Sequence, residues 1–160
     1  MSAPDPVVGC DVVAVDRIAR LVARGSGSAS RVFSETELAD ATRGGVGLDS
    51  QVAAERLAAR FAAKEATRKA LGGRGPGLAA IEVRTAEDGG PSIIVAGLPT
   101  SFACSLSHDG GVAMAVVLGP RAEAERLLGA LGWRDGDGDE DRARIEDGGD
   151  ATDAGSDGGG

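Results

Sequence analysis

The sequence is poor in the residues from which metal cages, disulfide frameworks and membrane anchors are built. Its 160 residues include two cysteines, Cys10 and Cys104, and one histidine, His108. The cysteines show neither metal-ligand nor redox spacing, so reduced, buried thiols in a cytoplasmic protein are the ordinary reading. No apolar run approaches the roughly 18 residues of a membrane span. No basic segment leads into an apolar one, as it would in a signal peptide. Lysine is scarce too: of 17 basic side chains only Lys64 and Lys69 are lysine. Arginine is a planar fork and lysine a compact point charge on a flexible stem. Two lysines kept within one short stretch mark that stretch for attention.

Charge is unevenly spread. Residues 1–120 hold 12 basic and 13 acidic side chains, whereas residues 121–160 hold 5 and 12. The net charge of −8 therefore belongs to the C-terminal part. Nothing in the nearly neutral first part suggests a nucleic-acid surface. The length suits one domain with a sizeable core, placed at 1–120. RAEAERLLGALGW predicts a short helix within 121–134. Residues 135–160 are Asp, Gly, Ser, Glu, Arg and Ala with almost no apolar mass, and are expected to be a disordered acidic tail.

The pattern along the chain predicts an α+β fold. VVGCDVV (7–13) reads as a strand with Val7, Gly9, Asp11 and Val13 on one face. A helix with Ile18, Leu21 and Val22 inward follows, then a flexible break at GSGSAS (25–30). FSETEL (33–38) is a capping box between Ser34 and Glu37, with Phe33 and Leu38 placed as its hydrophobic staple. A long helix runs from about Ser50 to Leu71 and stops at Gly72-Gly73. Strands follow at 79–85, 91–97, 101–108 and 111–119. Asp88-Gly89-Gly90 and Asp109-Gly110-Gly111 predict two hairpins. Strands and helices are segregated, which favours a small, largely antiparallel sheet over a parallel one.

RFAAKEATRKAL (60–71) carries the chemistry. Leu57, Phe61, Glu65 and Lys69 form one helical row that begins apolar and ends charged. Each polar residue has an ordinary explanation. Asp11 can end its strand in a turn, Glu65 and Lys69 can be an exposed pair, and His108 can be a satisfied rim histidine. Together they suit another purpose. Two carboxylates are hard ligands for Mg²⁺, which completes its shell with water and phosphates. A lysine one turn away and a histidine add positive charge and a donor. No Walker loop is present to hold the phosphates by another route.

VVGCDVVAVDRI, RFAAKEATRKALG and SLSH, in this order, resemble the G-x-D opening, the R-F-A-x-K-E-A-x-x-K-A-x-G signature and the late V-S-[IL]-[ST]-H strand of holo-acyl-carrier-protein synthases. These are the short class of 4′-phosphopantetheinyl transferases. The resemblance covers residues 7 to about 118 and implies that superfamily's fold. It implies transfer of 4′-phosphopantetheine from coenzyme A to an acyl carrier protein of fatty-acid or polyketide synthesis. Asp11 and Glu65 match the Mg²⁺ ligands. Lys69 matches the lysine at the coenzyme A phosphates, His108 the histidine near the diphosphate. Arg60 and Ser107 fall on further phosphate-side positions. Gly72 opens a loop that lies near the coenzyme in relatives. Arg17 matches a basic residue facing the acidic carrier, and Phe33 lies near another carrier-facing position. A homotrimer with sites between subunits is implied as well.

The chain departs from the pattern at Gly72-Gly73-Arg74, usually G-T-G, and at Gly89-Gly90-Pro91, usually G-[KR]-P. Those departures motivate an alternative: a coenzyme A- or carrier-binding module of the same fold with lost or weak transfer.

Overall fold

The structure, a computed structural model, describes residues 5–133. The expected acidic tail lies outside the described residues. β1 (Pro6–Ala14) runs directly into α1 (Val15–Ala23). A single turn, α2 (Ser26–Ala29), stands where a flexible break was expected. It forms because Gly25, at φ 104°, turns its carbonyl to accept from the Ser28 and Ala29 amides. α3 (Glu35–Ala41) and α4 (Gln51–Ala70) follow, then a 3-10 turn (Leu78–Ala80). The remaining elements are β2 (Ile81–Thr85), β3 (Pro91–Val95), β4 (Leu98–Pro99), β5 (Ala103–Asp109), β6 (Val112–Pro120) and α5 (Arg121–Ala130).

The strands make two antiparallel three-stranded sheets, β1-β6-β5 and β2-β3-β4. The architecture is thus α+β, and both expected hairpins are present. β4 went unread in the sequence. The chain reverses after Val95 through Ala96 and Gly97, both at positive φ, and pairs Leu98 back with Val95. A turn that puts alanine in the left-handed region has no compositional signature.

α4 is the element on which both sheets converge. Ser50 caps it by accepting from the Ala53 amide, and Gly72 and Gly73 close it with amides bonded to the Lys69 and Arg68 carbonyls. Ala53, Ala54, Ala58, Ala59, Ala62, Ala63, Ala66 and Ala70 are all buried along it. Such small side chains let β1 and β6 lie close against the helix. The opposite face of the β1-β6-β5 sheet is uncovered. Val8, Val12, Met114 and Leu118 are exposed there, around Cys10 and Val116.

Lys64 is wholly buried, as is its partner Glu37. Its ammonium lies 2.7 Å from Glu37 Oε2 and donates to the carbonyls of Val32 (2.6 Å) and Leu78 (3.2 Å). Glu37 also accepts from the Ser34 amide, closing the capping box, and from the Val83 amide of β2. Burial lowers the Lys64 pKa from its ordinary value, and Glu37 partly restores it. Removing one partner of such a pair leaves a buried charge uncompensated. We therefore expect Lys64→Met to lose about 3–5 kcal/mol of stability. Lys64→Met with Glu37→Gln should lose clearly less. Urea unfolding of both variants checks this; equal losses would show that the charge imbalance is not the cause.

Candidate active site

The site begins with a glycine. Gly9 lies where β1 crosses α4, and a Cβ there would sit 1.8 Å from the Ala66 carbonyl oxygen and 2.7 Å from the Ala70 amide nitrogen. With no side chain to hold them apart, strand and helix come into backbone contact. Two residues along the same strand face, Asp11 then meets the last turn of α4. Lys69 Nζ donates to Asp11 Oδ1 and to the Cys10 carbonyl, both at 2.8 Å. Asp11 is mostly covered, while the Lys69 side chain is about half exposed (53%). The Lys69 pKa is raised, chiefly by the hydrogen bond to Asp11 and further by the charges of Asp11 and Glu65.

Glu65 stands one turn before Lys69 on the row that Leu57 and Phe61 begin, both buried. Its nearest cation is Arg68, at 3.7 Å. Both carboxylates thus act on one ammonium at the open end of the row. Among the described residues no three His, Cys, Asp or Glu side chains form a closed metal cage. Two carboxylates beside a lysine do not suit a structural zinc. They do suit a hard cation such as Mg²⁺ that shares its shell with phosphate oxygens.

A cleft of about 300 Å³ opens beside Lys69, lined among others by Gly72, Arg74, Arg121 and Glu125. Gly72 is thus close to the site as well as ending the helix.

Other candidates lie elsewhere within one chain. His108 shares the inner sheet face with Asp11, but β6 intervenes: Val13, Ala113 and His108 form one cross-strand row, and Asp11, Ala115 and Leu106 another. Two strand spacings put the histidine about 10 Å or more from the carboxylate. Its Nδ1 instead lies 4.0 Å from Glu55, in the first turns of α4. Ser107 is on the outer sheet face, since neighbours on a strand point opposite ways. Arg60 faces α3, bonded to Asp40 Oδ2 (3.2 Å) and the Arg56 carbonyl.

The Phe33 ring lies inside the fold. It is buried in the core, with the Lys64 ammonium 5.4 Å from the ring centre, so the ring presents no surface to a partner. Lys64, singled out with Lys69 by its rarity, is equally unavailable. Arg17 is exposed and rests over the Phe61 ring at 5.1 Å. Arg20 and Arg24, which line the same groove, were not singled out in the sequence. Their spacing from Arg17 was the signal available.

Residues 7–117 match the family model of the 4′-phosphopantetheinyl transferase superfamily, and the chain belongs to that superfamily. Its relatives narrow the class. A holo-acyl-carrier-protein synthase of Frankia casuarinae is 43% identical over 122 residues, spanning 69% of this chain and 93% of the relative. One from Salinispora arenicola is 42% identical over 124 residues, spanning 71% and 97%. Solved structures agree. The Helicobacter pylori synthase in complex with coenzyme A superposes with a TM-score of 0.56 at 27% identity, over 69% of this chain and 96% of that one. The Bacillus anthracis synthase, a complex with coenzyme A (3′,5′-ADP), gives 0.59 at 30% identity, over 71% and 95%. Within the superfamily this is an enzyme of the holo-acyl-carrier-protein synthase type.

The crossing at Gly9 should be intolerant of any side chain. Gly9→Ala must push β1 off α4, at a cost of about 1–3 kcal/mol or more, because the clash is with backbone. Melting temperature and transferase activity should fall together. A variant of unchanged stability would show that the two elements can part freely.

Proposed function

We propose that this enzyme transfers 4′-phosphopantetheine from coenzyme A to a serine hydroxyl of an acidic apo acyl carrier protein, in a Mg²⁺-dependent reaction. The observation that carries the reading is the Lys69–Asp11 hydrogen bond where β1 crosses the end of α4, with Glu65 one turn before Lys69 on the same helix. The serine oxygen attacks the β-phosphorus, a new P–O bond forms, and the bond to the departing 3′,5′-ADP breaks. Asp11 and Glu65 would hold the cation, which when bound supplies charge neutralisation to the diphosphate. Lys69 keeps its proton because both carboxylates favour the ammonium. It can therefore offer a permanent positive charge to phosphate oxygens developing negative charge. Glu65, 3.7 Å from Arg68, and a water held by the cation are the two candidates to take the serine proton. The Gly72–Arg74 side of the basic cleft supports coenzyme A binding there.

His108 enters this reading from a second copy of the chain. Within one chain it stands apart from Asp11, and the sheet that carries both residues leaves Val8, Val12, Met114 and Leu118 exposed. An apolar face of that kind suits association, and a homotrimer with sites between subunits would cover it. The carrier would approach along α1, where Arg17 is exposed beside Glu65. Free cysteines suit the cytoplasm, and the carrier served would belong to fatty-acid or polyketide synthesis. No described helix is long and apolar enough to cross a membrane.

Intact-protein mass spectrometry of apo carrier with coenzyme A and Mg²⁺ tests the core of the reading. One phosphopantetheine should be gained, and Glu65→Ala or Asp11→Asn should slow the gain ~100-fold or more. No gain on any carrier, with coenzyme A still bound, would leave only a binding module.

Subunit sharing has its own test. Co-refolded Asp11→Ala and His108→Ala chains should regain activity at about a quarter of their sites if the two residues come from neighbouring copies. No recovery would place both residues in one chain's site.

The outer sheet face can be probed through Cys10, because Cys104 faces the core. Burial holds the Cys104 pKa at about 11, so at pH 8 its thiolate fraction is about a hundredfold below an ordinary thiol's. Cys10, on the sheet face, should be slow in the native oligomer and fast once Val12→Glu separates the copies. Fast labelling of Cys10 in the native enzyme would show that this face is open.

A further inference from the structure

α1 carries an arginine stripe that the fold leaves without carboxylate partners. Arg17, Arg20 and Arg24 are exposed on one side of the helix, three and seven residues apart. None has a carboxylate within ion-pair distance among the described residues. Arg17 is braced on Phe61 rather than on an acid. The three line a groove of about 430 Å³ shared with Leu21, Val32 and Glu65. Three unpaired guanidinium groups around a partly apolar groove suit a flexible polyacidic segment better than a single compact anion.

A polyacidic segment exists in the same chain. Residues 135–160 hold ten acidic and two basic side chains, a charge of −8, which is the net charge of the whole chain. Residues 1–134 are accordingly neutral overall. Five of the ten carboxylates fall within residues 135–141. The family match ends at residue 117, and 71% of this chain accounts for 97% of one relative. The acidic segment therefore has no counterpart in that relative. Reach is no obstacle. Twenty-six residues extend to at most about 90 Å, against about 36 Å across a domain of this size.

We infer that residues 135–160 dock in cis on the Arg17–Arg20–Arg24 stripe and compete there with acidic partners. The contact itself stands on the charges above. Its consequence for the carrier rests on the function proposed here. A tethered segment has an effective concentration in the millimolar range, enough to populate a contact made of individually weak exposed pairs. An occupied stripe raises the apparent Michaelis constant for the carrier in inverse proportion to the unoccupied fraction. Salt releases it, because the pairs are solvent-exposed.

The test compares the full chain with a full-length variant whose ten acidic residues at 135–160 are Asn or Gln. The first readout is the side-chain Nε–Hε NMR signals of Arg17, Arg20 and Arg24, recorded without carrier. These should shift between parent and variant at low salt and coincide at high salt. The second is the Michaelis constant for apo carrier, expected to fall about threefold in the variant at low salt with kcat unchanged. Unchanged arginine signals overturn the docking whatever the carrier does, and shifts confined to other arginines overturn its location. Shifted signals with no carrier modified by either protein would uphold the docking and sink the carrier reading instead.

Discussion

The buried pair of Lys64 and Glu37 is the interaction on which the rest of the fold depends. Lys64 sits in the middle of α4, and its ammonium gathers three other parts of the chain: the Glu37 carboxylate of α3 and the carbonyls of Val32 and Leu78. Through the Val83 amide, Glu37 extends the same network into β2 and hence into the second sheet. A charge wholly removed from water is tolerated only where its donors are satisfied. Here three donors meet three acceptors. The cost of desolvation is thereby turned into a positional constraint, since α3, α4 and the second sheet must be in place together.

The site uses the other side of the same helix. Lys64 points into the core, whereas Glu65 and Lys69 open outward beside β1. Gly9 makes their proximity to Asp11 possible, because the strand reaches the helix backbone there. One element thus serves two purposes divided by helical phase. Substitutions one residue apart, at Lys64 and Glu65, should act through different properties of the enzyme, stability and chemistry.

Strand order divides the candidate residues further. β6 separates β1 from β5, so Asp11 and His108 share a face without meeting. The same sheet turns an apolar surface outward. In the function proposed above the two facts are complementary: candidate residues spread over one sheet and a surface that suits association would both be served by an assembly of copies. The α1 arginines, by contrast, belong to the periphery, where screening is strong and contacts are individually weak.

Much was legible in the sequence because it depends on residues close together along the chain. The Ser34–Glu37 capping box, the Ser50 cap, the Gly72-Gly73 stop and both hairpins follow from local stereochemistry. The Leu57–Lys69 row follows from helical period alone. The family was legible too, since its motifs lie within single elements. What the sequence could not decide is which neighbour each polar group meets. Glu37 reads as a cap but also receives a lysine and a strand amide from distant elements. Lys64 and Lys69 are equally rare, yet one is buried and the other exposed. Phe33, read as near a partner-facing position, has its ring in the core. The sequence by itself determined the elements, their caps and the chemical types at the site, because these follow from covalent neighbours and backbone geometry. Only the tertiary structure decided burial, pairing and the separation of His108 from Asp11, because these depend on which surfaces pack across the whole chain.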